Sequence, residues 1–147
     1  MVVAALYATA QMIPIFLAAV LLTLPPQARE TFKVRLSPVP VDATSRNTTT
    51  GNGAATATLT GNTLTITGTF EGLQGPATAA RLHAAKVTGI RGTAFADLEI
   101  SKAAAGTLSG SVTLTREQID SLKKGRFYIQ VHSEKAPDGN LWGWLLR

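Results

Sequence analysis

The 147-residue sequence contains no cysteine. This absence excludes disulfide bonds, thiolate metal sites, covalent c-type haem attachment and a lipid-modified N-terminal cysteine. Histidine is scarce as well, with two in the whole chain, so a metal centre that needs three or four converging ligands is short of donors. A domain without disulfides must be stabilised by its own hydrophobic core, and this chain is long enough to form one.

Charge is absent from the first 28 residues, since all fourteen Lys and Arg and all nine Asp and Glu lie between 29 and 147. Residues 2–24 are apolar apart from Gln11 and a few weakly polar side chains. A helix of about 23 residues reaches about 34 Å, which is enough to cross a hydrocarbon core of about 30 Å. We therefore predict a transmembrane helix over residues 1–28, a domain over 29–147, and the membrane-anchor residues Ile13, Phe16, Leu17, Val20 and Leu21.

A cleaved signal peptide is the alternative for this segment. Signal peptides have a basic n-region, a short apolar run and small residues before the cleavage site. No Lys or Arg precedes the apolar run, and the best cleavage position, after Ala28, has Pro26 at −3. We favour the retained anchor, in a bacterial inner membrane, with the domain on the periplasmic side. Arg29 and Lys33, just after the span, favour the opposite orientation by the positive-inside tendency.

Residues 29–147 show the pattern of short antiparallel strands. Apolar residues alternate with Thr, Ser or charged residues in eight runs: 32–36, 55–59, 64–70, 78–84, 93–100, 107–114, 126–132 and 140–146. Gly61 and Asn62 join two of these runs and predict a hairpin. Strands of this length and spacing are typical of a sandwich or a barrel.

One short helix is predicted between two of these strands. Thr115 and Gln118 have the spacing of a capping box, and Gly125 is typical of the residue that follows a helix. Ile119 and Leu122 would form its inward face.

The sequence from 32 to 147 resembles the CHRD (chordin-type) domain. The matching pieces, in order, are residues 36–41, 53–59, 64–73, 75–83, 108–115, 125–132 and 137–145. The resemblance implies an all-β fold, an antiparallel Greek-key-like sandwich of the immunoglobulin or superoxide-dismutase kind. It implies almost nothing about activity, because a fold does not determine a function.

The family usually has a His-x-His-Gly-like pair where this chain has Arg81, Leu82, His83 and Ala84. His83 and His132 are therefore the candidate metal ligands. Arg81 would share a strand face with His83 and repel a cation, so we favour hydrogen bonding as the role of both histidines. We predict no metal and no cofactor.

Motifs of catalysis are missing too. There is no Gly-x-Ser-x-Gly elbow, and no serine has an evident His/Asp pairing. Asp97 and Glu99 share one face of a strand, as paired carboxylates would, but this spacing is more typical of solvated surface charges. We predict that the protein is not an enzyme.

The C-terminal strand contains a tryptophan pair. Trp142 and Trp144 alternate with Leu141 and Leu145, so both tryptophans lie on one face. If the leucines face the core, the tryptophans project outward beside Tyr128 and can contact a partner or a membrane interface. In the other arrangement the tryptophans face the core.

Three functions agree with these features of the sequence. The favoured one is a non-enzymatic accessory subunit whose periplasmic domain stabilises a larger membrane protein complex, such as a respiratory or photosynthetic one. The others are a copper- or zinc-binding redox protein using both histidines, and an extracellular adhesion or ligand-binding module using the tryptophans. The net charge of +5 favours an acidic partner or the headgroups of a lipid bilayer. Nucleic acid is not predicted as a partner, because the basic residues are dispersed.

Overall fold

The structure is a computed structural model and describes residues 22–147. It contains eight strands and one helix, in the order β1 (Arg29–Pro38), β2 (Asn52–Thr60), β3 (Thr63–Glu71), β4 (Ala77–Ala84), β5 (Thr93–Ile100), β6 (Gly106–Thr113), α1 (Arg116–Lys123), β7 (Phe127–Ser133) and β8 (Leu141–Trp144). Every strand overlaps a run in which alternation was predicted. The hairpin at Gly61 and Asn62 is confirmed, with Thr60 paired to Thr63.

The eight strands close into a barrel. Their order around the wall is β1-β2-β3-β6-β5-β4-β7-β8, and β8 pairs back to β1 through Ser37 with Trp142 and Pro38 with Leu141. The predicted sandwich is therefore wrong. Alternation separates an inner from an outer face in either architecture, and the pairings that close the ring, β1 with β8 and β5 with β6, distinguish the two.

Small inward residues let the wall curve. A Cβ added to Gly68 would lie 2.6 Å from the Ala55 Cβ, and one added to Gly110 would lie 2.5 Å from Leu98 Cδ2. Glycine within a strand marks the places where neighbouring atoms come this close. Larger inward side chains from all parts of the wall fill the interior, among them Phe32, Leu36, Ile66, Leu82, Leu108, Ile129 and Leu145.

The segments that connect the strands define the two ends of the barrel. The segment 114–126, with α1, crosses one end, which we call the helix end; β1 begins at this end, and the segments 61–62, 85–92 and 145–147 also lie there. The opposite end, which we call the loop end, has the segments 39–51, 72–76, 101–105 and 134–140.

Helix α1 covers the core at the helix end. Leu122 is fully buried in the core and Ile119 packs against it. The predicted capping box is confirmed, because Thr115 Oγ1 accepts from the Gln118 N–H at 3.2 Å and Gln118 Oε1 accepts from the Thr115 N–H at 2.9 Å. Gly125 follows the helix with φ of 71°.

The predicted transmembrane helix is not found in the described part of the chain. Its anchor residues from Ile13 to Leu21 lie outside the described residues. Residues 22–28 have no helical structure, and Leu22 and Leu24 are exposed. Pro25 disfavours helical backbone at Leu24, which agrees with the absence of helix in residues 22–28. From residue 22 onward no helix is long and apolar enough to cross a membrane.

Candidate functional site

The outer wall of β4, β7 and β8 bears a cluster of four rings, His83, Tyr128, Trp142 and Trp144, which we call the aromatic face. Leu141 and Leu145 are fully buried on the inner side of β8, so the two tryptophans point outward. Of the two arrangements open to the sequence, the structure therefore has the outward one. Both tryptophans remain partly exposed.

The four rings support one another. Tyr128 is central, with ring centroids 4.6 Å from Trp144, 5.7 Å from Trp142 and 4.7 Å from His83. The tryptophans meet edge to face at 5.7 Å. Pairs in this range of geometry each contribute about 0.5–1.5 kcal/mol beyond simple burial. The aromatic face is thus a rigid feature of the wall.

Tyr128 is 1% exposed even though it lies outside the barrel. The two tryptophans cover its ring, and the segment 85–92 covers its hydroxyl. The Gly92 N–H donates to Tyr128 Oη at 2.9 Å, while the Gly92 carbonyl and His83 Nδ1 each lie 3.2 Å from the same oxygen. A second small core therefore sits on the outside of the wall.

His83 belongs to this outer core. Its ring stacks on Tyr128 with 19° between the planes, and Nδ1 lies 3.2 Å from the Gly92 carbonyl. Burial lowers the pKa of His83, the Gly92 carbonyl opposes that effect, and the neighbouring side chains of His132, Arg81 and Arg91 add to the lowering. His83 is therefore a neutral imidazole at pH 7 and acts as a structural contact.

A polar layer continues the face toward the loop end. Gln130 is buried and its Nε2 donates to the Asp138 carbonyl at 3.0 Å, which also accepts from Arg91 Nη1 at 3.3 Å. Asn140 Nδ2 donates to the Thr50 carbonyl at 2.6 Å, and Asn140 Oδ1 accepts from Ser133 Oγ at 2.7 Å.

These polar residues were missed at the sequence level. Alternation places Gln130 on the outer face, where an exposed side chain is the ordinary expectation. Its burial depends on the segment 134–140, which folds back over β7. No local sequence pattern predicts that this segment folds back.

The structure does not bring the two candidate metal ligands together. His83 pairs across the sheet with Tyr128 and His132 with Ala79, so four residues, or roughly 13 Å along the strands, separate them. His132 Nδ1 lies 2.8 Å from the Pro137 carbonyl. Both Nε2 atoms are buried without a partner. Within residues 22–147 no group of three or more His, Asp or Glu is placed to hold a metal ion.

The candidate carboxylates are also apart from the aromatic face. Asp97 Oδ1 accepts from Arg81 Nε at 3.2 Å on the outside of the wall, and both side chains are substantially exposed. Glu99 is exposed on the same strand. This arrangement is an ordinary surface ion pair of small energetic weight.

The opposite wall differs in character. Outward residues of β2, β3 and β6 align in rows of hydroxyls, with Thr56 beside Thr67 and Thr67 beside Ser109 in one of them. Threonine suits an exposed pleated surface, so this wall is a typical solvated face. The contrast singles out the aromatic face as the candidate site.

The fold is thus that of a small, closed antiparallel β-barrel domain with a filled interior. The family model of the CHRD domain matches residues 32–145, most of the barrel from β1 to the end of β8. The chain therefore belongs to the CHRD domain family, and the resemblance noted in the sequence is confirmed. No match was found among curated proteins or among solved structures.

Proposed function

We propose that this CHRD domain protein is a non-enzymatic accessory subunit at a bacterial inner membrane. Its barrel binds a larger membrane protein complex on the periplasmic side and stabilises it. The aromatic face is the contact surface, and the observation that supports the proposal is the pair of partly exposed tryptophans fixed against Tyr128.

The residue types on this face are those that contribute most to protein interfaces. Tryptophan and tyrosine are enriched among residues whose truncation costs 2 kcal/mol or more of binding free energy. Polar groups border the rings, including the Asp138 carbonyl and the guanidinium of Arg91. An apolar centre with a polar border is the usual anatomy of a specific interface.

The rigidity of the face also favours binding. Trp142 and Trp144 contact each other and Tyr128, and Tyr128 is anchored through Gly92. Side chains that are already ordered lose little conformational entropy on association. The same rings on a mobile loop would bind more weakly for an equal contact area.

The test is co-migration with the native complex. The native membrane is extracted in mild detergent, separated under native conditions, and the chain is located by mass spectrometry. We expect the unaltered chain in a large complex. The Trp142→Ala/Trp144→Ala variant should shift to a small free species, because a loss of about 2 kcal/mol or more weakens binding at least about 30-fold.

The control changes two outward residues of the hydroxyl wall, Thr65→Ala and Thr67→Ala, which are exposed on β3. This variant should remain in the complex. Thermal unfolding of both variants separates lost binding from lost folding, and Trp142→Phe/Trp144→Phe keeps aromatic contact if the alanine variant unfolds. Retention of a folded alanine variant in the complex would contradict the proposal.

The two alternative functions give different results in the same preparation. An adhesion module predicts that the unaltered chain migrates alone and still binds its ligand when cut free ahead of β1, before Arg29. A metal-dependent redox protein predicts stoichiometric copper or zinc in the purified chain, lost in His83→Ala. The unpartnered Nε2 atoms of His83 and His132 are the one observation in favour of the metal alternative.

A further inference from the structure

The net charge of the chain lies at one end of the barrel. The connecting segments of the helix end carry seven basic and two acidic residues, a net +5, whereas those of the loop end carry three of each. The strands themselves carry four of each sign. The charged residues of the helix-end segments are Lys86, Arg91, Arg116, Lys123, Lys124, Arg126 and Arg147, with Glu117 and Asp120.

Part of this charge is engaged within the chain. Lys123 Nζ and Arg147 Nη2 pair with the Glu30 carboxylate at 3.1 and 2.9 Å. Arg91 turns along the wall to the Asp138 carbonyl. Among the described residues, no ion pair engages Lys86 or Lys124, and both are exposed.

Exposed apolar side chains lie among these basic residues. Val87 is 55% exposed, Ile90 60% and Leu146 48%. The segments that carry them meet at Gly125, because Thr88 Oγ1 donates to the Gly125 carbonyl at 2.7 Å and a Cβ on Gly125 would lie 3.1 Å from Leu146 Cδ2. We call Val87, Ile90 and Leu146 the apolar tip.

We infer that the helix end docks on the surface of an anionic lipid bilayer. The apolar tip enters the boundary between headgroups and acyl chains, and Lys86 and Lys124 contact the headgroup phosphates. Apolar side chains ringed by Lys and Arg are the combination that binds such surfaces, since burial and electrostatic attraction act together.

The course of the chain agrees with this orientation. The uncharged sequence 2–24 precedes β1, and β1 begins at the helix end, where Arg29 pairs with Thr60. Residues 25–28 span at most about 14 Å, so a membrane-associated N-terminal segment would hold the helix end close to the lipid. Because the Debye length is about 8 Å in physiological salt, electrostatic attraction acts once the helix end lies within about that distance of the headgroups.

This inference goes beyond the proposed function, because it concerns lipid and uses residues outside the aromatic face. Either can fail while the other holds. A folded Trp142→Ala/Trp144→Ala variant should keep its lipid contact, and charge variants of the helix end should keep the aromatic face intact.

The test uses the full chain reconstituted into vesicles. Because the chain has no cysteine, Val87→Cys introduces a single thiol for an environment-sensitive fluorophore. Val41→Cys is the matched control, since Val41 is 45% exposed at the loop end. In vesicles of phosphatidylcholine with phosphatidylglycerol, we expect the label at 87 to shift to the blue and to be quenched by a lipid-attached quencher. The label at 41 should stay in water.

Charge reversal tests the electrostatic part. Lys86→Glu/Lys124→Glu should lower the ratio of lipid-contacting to water-exposed label at 87 by about tenfold or more, since each basic residue near the surface contributes strongly to binding. Arg46→Glu/Lys135→Glu makes the same change of charge at the loop end and should leave the ratio unchanged. High salt should lower the same ratio, as Lys86→Glu/Lys124→Glu does.

Three results would overturn the inference. The first is an absence of quenching of the label at 87 in phosphatidylglycerol vesicles. The second is equal quenching of that label in phosphatidylcholine alone and regardless of charge. The third is quenching of the label at 41 to the same extent. Protection of residue 87 in native membranes but not in protein-free vesicles would instead assign the helix end to an acidic protein partner.

Discussion

His83 lies on the outer wall of the barrel and is nevertheless 9% exposed. The Tyr128 ring covers one of its faces, and Gly92 lies against Nδ1. An imidazole in such a place is held neutral, because protonation would put a charge into an environment with little water. Protonation of His83 should therefore make the stability of the outer core depend on pH.

The first prediction concerns this dependence. The folded state lowers the pKa of His83 below the 6.5 of an exposed histidine, so the unfolded chain binds the proton more readily. Stability contributed by the neutral ring is present above about pH 6.5 and is lost as the pH falls through the folded pKa. Urea unfolding from about pH 8 to about pH 5 should show this loss in the unaltered chain.

His83→Gln is the informative comparison, since it keeps a polar side chain that does not titrate. Its free energy of unfolding should vary less with pH in this range than that of the unaltered chain. His132→Gln should retain the contribution of His83. Parallel pH profiles for His83→Gln and the unaltered chain would contradict the assignment.

The second prediction compares two inward glycines. In Gly68→Ala the new methyl group meets the Ala55 Cβ at 2.6 Å and the Ala54 carbonyl at 2.7 Å, neither of which can move without the backbone. In Gly110→Ala it meets only the end of the Leu98 side chain, which can rotate. We expect Gly68→Ala to lower the free energy of unfolding by about 1–3 kcal/mol and Gly110→Ala by less than about 1 kcal/mol. Equal losses of unfolding free energy in chemical denaturation would contradict the idea that the space available to the new methyl group decides the cost.

Among the elements, α1 is the one whose sequence signals are most complete. Thr115, Gln118 and Gly125 have the roles expected of them, and Leu122 enters the core as its spacing indicates. Local chemistry suffices here because capping bonds join residues three apart in sequence. The positions of the strands can also be predicted from neighbouring residues, since alternation alone identifies them.

The third prediction concerns the helix cap. Thr115→Ala removes the oxygen that accepts from the Gln118 N–H, and the free energy of unfolding should fall by about 1 kcal/mol. Thr115→Ser keeps the oxygen and should lie within a few tenths of a kcal/mol of the unaltered chain. Thermal or denaturant unfolding of the two variants measures the difference. An alanine variant as stable as the serine variant would argue against the cap.

The segment 85–92 depends on contacts with residues that are distant in the sequence. Its sequence is that of a surface loop between two strands, with Gly89 at φ of 88° and with Val87 and Ile90 of the apolar tip exposed. Its contacts to Tyr128 and Gly125 join it to residues 36 and 37 positions away. Both proposed surfaces of the molecule depend on this loop.

At the scale of the whole molecule, the strand pairs of the barrel differ in length. We call the hydrogen-bonded boundary between two neighbouring strands a seam. β2 and β3 pair over nine residues, whereas β5 and β6 pair over two. β1 and β8 are also joined briefly, with two pairs and one bridge between Lys33 and Leu146. Closure of the ring therefore rests on its two shortest ladders.

The fourth prediction follows from these ladders. Native-state hydrogen exchange should be slowest for the amides that join β2 to β3, and faster at the β5–β6 and β1–β8 seams. Local opening needs little free energy where few hydrogen bonds must break together. Exchange resolved by nuclear magnetic resonance, amide by amide, makes this comparison. Uniform protection around the ring would show that the seams open only with global unfolding.

The two proposed surfaces are compatible in one orientation. The helix end faces along the barrel axis, and the aromatic face lies on the side wall. A barrel standing with its helix end on the lipid would present the aromatic face sideways, toward a protein embedded in the same membrane. Lipid contact and partner contact would then restrict the same subunit in two directions.

The features that depend on neighbouring residues could be predicted from the sequence. Alternation placed the eight strands and set Trp142 and Trp144 on one face, the capping residues placed α1, and the ordered motifs identified the CHRD domain. Tertiary structure alone decided that the sheet closes, that His83 and His132 lie apart, and that the net charge gathers at one end. The physical reason is that each of these depends on pairing between residues far apart in the chain, such as Lys33 with Leu146, which no local pattern encodes.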